Sequence, residues 1–367
     1  MYNFKTDEAY MRRCIELAAN GRGRTAPNPM VGCVVVCDGA VIGEGYHRAY
    51  GGPHAEVNAL DSVREPSLLP RATLYVSLEP CAHYGKTPPC ADRIVASRIP
   101  RVVIGSPDPN PKVSGRGVAR LRAAGCRVTE GVLRAECDAL NRFFLCYHLK
   151  HRPYIILKWA QSADGFIDAP RPEGTPAGPR WITGPEERAL VHAWRAGCQA
   201  IMVGTRTALN DDPALTVRNV PAASDAPMPM PTCYPHPLRI VLDRSLRLPS
   251  GLHLFDGTAP TCVLSGRPAP DGWQAQRPGT ELWQMPFDND WPAHLMETLY
   301  ARQIQSLLVE GGRQLLQTFI DAGLWDEARV FSGKTSFGGG VPAPVMTGSP
   351  CSSVAYAQST LYFYRHG

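Results

Sequence analysis

The sequence has no apolar run long enough to cross a membrane. Its longest, "VGCVVVC" over residues 31 to 37, falls far short of the roughly 20 residues that a spanning helix needs and reads as a buried strand. The opening "MYNFKTDEAYMRRC" has no apolar signal core, so a cytoplasmic protein without a membrane partner is expected. In a reducing compartment the twelve cysteines do not read as a disulfide framework, and most should be small buried hydrophobes. Runs of Lys or Arg are missing, and so is the basic and aromatic stripe of a nucleic-acid reader. The formal net charge of +5 is mild and suits a phosphorylated small molecule. A dinucleotide fingerprint is lacking as well: Gly115-Arg116-Gly117 comes nearest, but Arg120 sits where the last glycine belongs and no strand directly precedes it.

What is present is enough chain, 367 residues, for two cores. Thr6 followed by Asp7 and Glu8, then Met11, Cys14, Ile15 and Ala18, predicts a capped amphipathic helix. Asp38-Gly39 predicts a hairpin after the 31–37 strand. Strands at 72–78 and 101–105 then alternate with helices from 54, 90 and 115, and 134–150 reads as one closing helix. The expected fold is α/β, a mixed sheet with helices on both faces, in a domain spanning 1–150. A second α/β domain, 151–367, begins with "PYIILKWAQS" and has strands at 199–203, 238–243 and 306–310 and helices at 184–197 and 311–322. The proline-rich stretch 221–237 reads as a surface loop.

His54, Cys81 and Cys90 supply one imidazole and two thiolates, a donor set zinc favours, and three protein ligands leave a fourth position for water whose pKa the metal lowers. Glu56, two residues past the histidine in the first turn of a helix, is placed to shuttle a proton between that water and departing ammonia. Pro-His-Ala-Glu followed by Glu-Pro-Cys and a later Cys has the form of the zinc-deaminase signature. The spacing differs, with eight residues between Cys81 and Cys90 instead of two, so "AHYGKTPP" should form a loop beside the metal. His83 is the one obvious fourth ligand, and a purely structural zinc would want it; His47 reads as a pocket or surface residue.

"TAPNPMVGCVVV", "GYHRAYGGPHAEVNAL", "LEPCAHYGKTPPC" and "DPNPKVSGRG" resemble the deaminase half of the bifunctional riboflavin-biosynthesis deaminase/reductase family. "SADG", "RWITG", "DDPALTVR" and "VEGG" resemble its reductase half. The long cysteine spacing is the form this family uses. The resemblance implies a cytidine-deaminase-like domain followed by a dihydrofolate-reductase-like domain. It implies two successive steps: hydrolytic deamination of 2,5-diamino-6-(5-phosphoribosylamino)pyrimidin-4(3H)-one with one zinc per chain, then NADPH-dependent reduction of the ribosyl to the ribityl side chain. Zinc ligation passes to His54, Cys81 and Cys90, proton transfer to Glu56, and base recognition to Asn28, a position that otherwise reads as a turn residue.

In the second half, "SLLVEGGRQLLQ" has the physical form of a phosphate cradle: a strand ends, two glycines follow, and a helix begins. The resemblance implies that Ala160, Trp181, Thr207, Asp211, Gly312, Arg313 and Gln314 lie at the cofactor. It implies that Arg195, Leu215, Arg218 and Glu310 lie at the substrate, where guanidinium groups suit a phosphate. Without it, Trp181 reads as core. The chain ends at "LYFYRHG", where family members commonly run on into a closing apolar strand. Association of like chains is left open by the sequence.

Overall fold

The valine run forms strand β1 (Gly32–Cys37), buried at every position. Cys33, Val35 and Cys37 enter one core and Val34 and Val36 another, so the strand is covered on both faces. A computed structural model describes residues 6–82, 88–111, 113–218 and 236–366. Within it the chain divides into two compact units, Met1–His151 and Arg152–Gly367. Among the described residues no helix is long and apolar enough to cross a membrane.

In the first unit Asp38 and Gly39 both take positive φ, 50° and 79°, and turn the chain into β2 (Ala40–Tyr46), antiparallel to β1. Strand β3 (Thr73–Leu78) pairs antiparallel with the other edge of β1. β4 (Arg101–Ser106) and β5 (Arg127–Glu130) continue in parallel, giving the order β2-β1-β3-β4-β5. Helix α1 (Asp7–Ala19) is capped by the Thr6 hydroxyl, which accepts the Ala9 N–H, and buries Met11, Cys14 and Leu17 against Val34 and Val36. On the opposite face α2 (Ala55–Asp61), α3 (Cys90–Ala96) and α4 (Arg116–Ala123) bury Ala59, Ile94 and Leu121 against Val35, Leu74 and Ile104. The mixed sheet with helices on both faces is what the alternation of apolar and turn segments predicts.

The segment 134–150 is two helices, not one: α5 (Arg134–Leu140) and α6 (Arg142–Lys150) meet at Asn141, whose φ and ψ of −102° and 21° leave the helical range. Asn141 is buried, and its carboxamide exchanges two hydrogen bonds of 2.8 Å with the N–H and C=O of Met30. A buried amide satisfied on both sides outweighs helix continuity, and helical periodicity carries no sign of that long-range contact.

The second unit opens with β6 (Tyr154–Gln161) and the short β7 (Phe166–Asp168), followed by α7 (Pro185–Ala196) and β8 (Ala200–Gly204). Then come α8 (Thr205–Asp211), β9 (Leu238–Leu242), β10 (Thr261–Ser265), β11 (Thr280–Gln284) and α9 (Trp291–Ala301). β12 (Ser306–Val309), α10 (Arg313–Asp321), β13 (Glu327–Gly333), β14 (Val341–Pro342), β15 (Ser352–Ala355) and β16 (Ser359–Arg365) complete it. The large sheet runs β11-β10-β9-β8-β12-β6-β13-β16-β15, parallel as far as β13 and antiparallel beyond. From β6 the chain works outward to β11, then returns to insert β12 between β8 and β6. The winding therefore reverses at β12, and ligands of open α/β sheets bind beyond the carboxyl ends of strands at such a reversal.

The segment "LYFYR" lies within β16, which pairs with β13 from Ser359 to Arg365. Alternate residues Ser359 and Leu361 are fully buried, the period-2 pattern of a half-covered strand. Most of the proline-rich stretch lies outside the described residues.

Asn141→Leu is expected to leave the Met30 N–H and C=O without their partner and to lower the unfolding free energy by about 2 kcal/mol. The check is the urea midpoint of the first unit, which should fall while the far-ultraviolet spectrum stays native.

Candidate metal centre and reductase site

Three chain segments of the first unit converge on one point. His54 is the N-cap residue of α2, Cys90 is the first residue of α3, and Cys81 lies three residues past the end of β3. The Nδ1 atom of His54 is 3.6 Å from the Cys81 Sγ and 3.3 Å from the Cys90 Sγ, and the three ligating atoms all lie within 4.8 Å of one another. Zn–N and Zn–S bonds at the corners of a tetrahedron give an N···S edge of roughly 3.6 Å, so the donor set fits zinc in size as well as in chemistry. Among the described residues this is the one group of His, Cys, Asp or Glu side chains that could share a metal. His83 lies outside the described residues, as does most of the loop predicted beside the metal.

The charge of the site is set locally. The thiol of Cys90, then the ring of His54 and the Cys90 N–H, which donates to the Cys81 Sγ at 3.3 Å, favour a thiolate there against burial, so the Cys81 thiol is held far below its ordinary range. Cys90 is correspondingly pushed up by the thiolate beside it and by burial. Glu56, in the first turn of α2, is 3 % exposed. Burial, reinforced by the Cys81 charge, pushes its carboxyl up to about 7. A carboxyl poised there can both take and give a proton near neutral pH.

Asn28 is brought to the same region through His47. The His47 ring must carry its proton on Nδ1, because that atom faces the carbonyl oxygen of Pro53 at 3.0 Å. Burial lowers the pKa of the ring, so it is neutral and its Nε2 accepts the Asn28 amide N–H at 3.2 Å. The rings of His47 and His54 meet edge to face, their centroids 5.5 Å apart. The sequence left His47 between pocket and surface; at 2 % exposure it is buried and links Asn28 to the turn that bears His54. Most of the remaining cysteines are buried, and none of the described cysteines is in a disulfide.

In the second unit the site lies where β12 ends. Glu310 is bound by both arms of the Arg195 guanidinium, Nε to Oε1 at 2.7 Å and Nη2 to Oε2 at 2.8 Å, and the Lys158 ammonium lies 3.6 Å from Oε2. Burial would raise the Glu310 carboxyl, but the two cations hold it at about 2. The sequence reading brought Arg195 and Glu310 to one site and missed Lys158. The available signal was a lysine inside the apolar strand "YIILKWAQ".

Gly311 takes a φ of +128°, which a side chain would resist, and Gly312 precedes α10 and donates its N–H to the Thr207 hydroxyl at 2.8 Å. Arg313 and Gln314 open that helix and are exposed. Asp211, at the end of α8, accepts from the Arg171 Nη2 at 2.8 Å, and burial pushes its carboxyl up to about 6 despite that partner. Leu215 is buried at a φ of +52°, and the exposed Arg218 lies three residues further along the same segment. Ala160 pairs with Phe331 across β6 and β13. Trp181 is not core: it is 63 % exposed, with the Arg188 guanidinium 4.6 Å above its ring.

Residues 4–106 match the family described as the cytidine and deoxycytidylate deaminase zinc-binding region, and residues 153–360 match the RibD C-terminal domain family. The chain is 39 % identical to the riboflavin biosynthesis protein RibD of Aquifex aeolicus, over 91 % of this chain and 89 % of that one. It is also 39 % identical to the RibD of Escherichia coli, over 89 % and 87 %. A crystal structure of a diaminohydroxyphosphoribosylaminopyrimidine deaminase/5-amino-6-(5-phosphoribosylamino)uracil reductase from Thermotoga maritima superposes with a TM-score of 0.85 at 35 % identity, covering 98 % of this chain and 99 % of that one. The RibD of Acinetobacter baumannii gives 0.84 at 34 %, with the same coverage.

Arg195→Leu would strand a buried carboxylate opposite Lys158 alone and is expected to lower the unfolding free energy of the second unit by about 3 kcal/mol. The sign with pH follows from a carboxyl lowered from 4.5 to about 2: its stabilisation is full above about pH 4.5 and is lost as the pH falls toward 2. Denaturant midpoints between pH 5 and pH 3 should drop more steeply for the wild type than for Arg195→Leu, and equal slopes would contradict the ion pair.

Proposed function

The chain belongs to the RibD family of bifunctional riboflavin-biosynthesis proteins, a deaminase joined to a reductase, and from that premise we propose how its residues divide the work. It catalyses two successive steps of riboflavin biosynthesis on a small-molecule substrate. We assign the deaminase step to zinc held by His54, Cys81 and Cys90. The observation that carries this reading is the spacing of those three ligating atoms, with the buried carboxyl of Glu56 two residues past His54.

Bound there, zinc supplies the Lewis acidity that makes water a nucleophile near neutral pH. Glu56 takes the proton that the attacking water gives up and passes it to the departing ammonia, so one carboxyl serves both halves of the hydrolysis. Asn28, its amide oriented by His47, holds the edge of the pyrimidine. Removal of the amine leaves the corresponding uracil.

We assign the reductase step to NADPH, which residues at the carboxyl ends of the parallel strands would hold. The first turn of α10, at Arg313 and Gln314, would offer N–H groups to its phosphates; Gly312, whose own N–H is held by the Thr207 hydroxyl, would let the cofactor approach the backbone, and Ala160, Trp181, Thr207 and Asp211 would complete its surroundings. When bound, the cofactor would supply hydride to C1′ of the opened ribosylamine, and the accompanying proton would come to the nitrogen from solvent. The residues supply position and charge, which is what hydride transfer asks of a protein. Glu310, Lys158 and Arg195 form a fixed charged wall, and Leu215 shapes the pocket beside it. The substrate phosphate goes to Arg218, because the Nε and Nη2 of Arg195 are already taken by Glu310. A reducing compartment, the cytoplasm, suits the free cysteines.

Glu56→Gln is expected to cut ammonia release by a factor of about 10² to 10⁴ while zinc content, measured by elemental analysis, stays near one per chain. The same variant given the deaminated substrate should oxidise NADPH at the wild-type rate. Loss of both activities together would refute the division of labour.

A further inference from the structure

Glu79 is a buried carboxylate that neither reaction uses. It follows the last residue of β3 and precedes the metal ligand Cys81 by two positions, at 4 % exposure. Four backbone N–H groups converge on it: Oε2 accepts from Gly115 at 3.0 Å and Asp108 at 3.4 Å, and Oε1 accepts from Gly117 at 3.0 Å and Val118 at 3.2 Å. Gly117 and Val118 lie in the first turn of α4, where unpaired N–H groups favour an anion. Among the described residues Glu79 has no ion pair with Lys or Arg. The carboxylate therefore joins the exit of β3 to the loop and helix start at 108–118.

Pro80 is held by the same helix. A Cβ built on Gly117 would lie 2.0 Å from the Pro80 carbonyl oxygen, so only glycine allows the helix to approach the peptide that leads into Cys81. On its other side Cys81 is tied to α3, its carbonyl accepting the Ala91 N–H at 3.1 Å and its sulfur the Cys90 N–H. One metal ligand on a strand exit is thus fixed between two helices, and Glu79 and Gly117 form the α4 side of that clamp.

We propose that Glu79 is a positioning residue for the deaminase: by anchoring the strand exit to the start of α4 it holds the Cys81 sulfur in register with His54 and Cys90. This rests on the zinc reading above. A carboxylate that merely capped α4 would change stability and leave the metal untouched, whereas an anchor for a ligand governs metal affinity, which outer-shell changes typically weaken 10- to 100-fold.

The test uses the full chain with zinc as probe, competed against a chromophoric chelator. Glu79→Gln keeps the shape but turns an NH₂ group toward two of the four donors. Gly117→Ala leaves the carboxylate intact and pushes on Pro80 from the helix side. Leu121→Ala, in the buried face of α4, lowers stability without touching residues 79 to 81. The first two are expected to weaken zinc binding 10- to 100-fold and to lower deaminase kcat with little change in KM, while Leu121→Ala binds zinc as the wild type does. NADPH oxidation with the deaminated substrate should be unchanged in all three. The proposal is overturned if Glu79→Gln and Gly117→Ala bind zinc normally, or if Leu121→Ala weakens it as much as they do. Should Glu79→Gln fail to fold, the comparison of Gly117→Ala with Leu121→Ala decides alone. A wild-type chain that binds no zinc would overturn this inference together with the reading beneath it.

Discussion

Everything in the first unit is arranged around bringing two thiol sulfurs and one imidazole nitrogen within 4.8 Å of one another. Such a cluster is costly in an apolar interior unless its charges are balanced. The chain balances them with backbone. His54 caps one helix and Cys90 opens another, and the first N–H groups of the second are turned to Cys81, that of Cys90 to its sulfur and that of Ala91 to its carbonyl oxygen. Alternate residues of the buried β1 send both faces of the sheet into cores, and that rigidity lets ligands from three separate segments meet.

The second unit meets a similar demand with side chains. Its sheet reverses winding at β12, and the strand end delivers Glu310 to a place where Arg195 and Lys158 oppose it. A carboxylate held at about 2 between two cations stays charged throughout the physiological range, so this wall does not exchange protons. Glu56, also buried, is pushed the other way, up to about 7. Burial raises a carboxyl in both places; what decides the outcome is whether cations or a thiolate stand beside it.

The sequence made the first unit largely legible because its signals are local. The valine run, the Asp38-Gly39 turn and the His54-Ala-Glu56 spacing each carry their meaning within a few residues. What stayed hidden depends on contacts across the chain. Asn141 breaks a helix for the sake of Met30, more than a hundred positions earlier, and His47 acquires its tautomer from Pro53 and its partner from Asn28. In the second unit the composition of the segments was readable, but the pairing of Arg195 with Glu310 was not, and so the fork of Arg195 seemed available for phosphate. Trp181 shows the converse: a large aromatic side chain reads as core, yet this one lies exposed beneath an arginine.

The glutamate of "LEPC" shows how a motif can be read at two depths. Read along the chain, "LEPC" and "GRG" are separate words, one bearing Cys81 and the other a loop before a helix. In the fold they are one construction, since the carboxylate of the first closes on the N–H groups of the second, and the glycine of the second makes room for the proline of the first. A strand end alone would leave its last side chains free to rotate with the loop that follows. Tied at both sides to helix starts, the same strand end can present a sulfur to within a few tenths of an ångström, which is the tolerance that tetrahedral coordination sets.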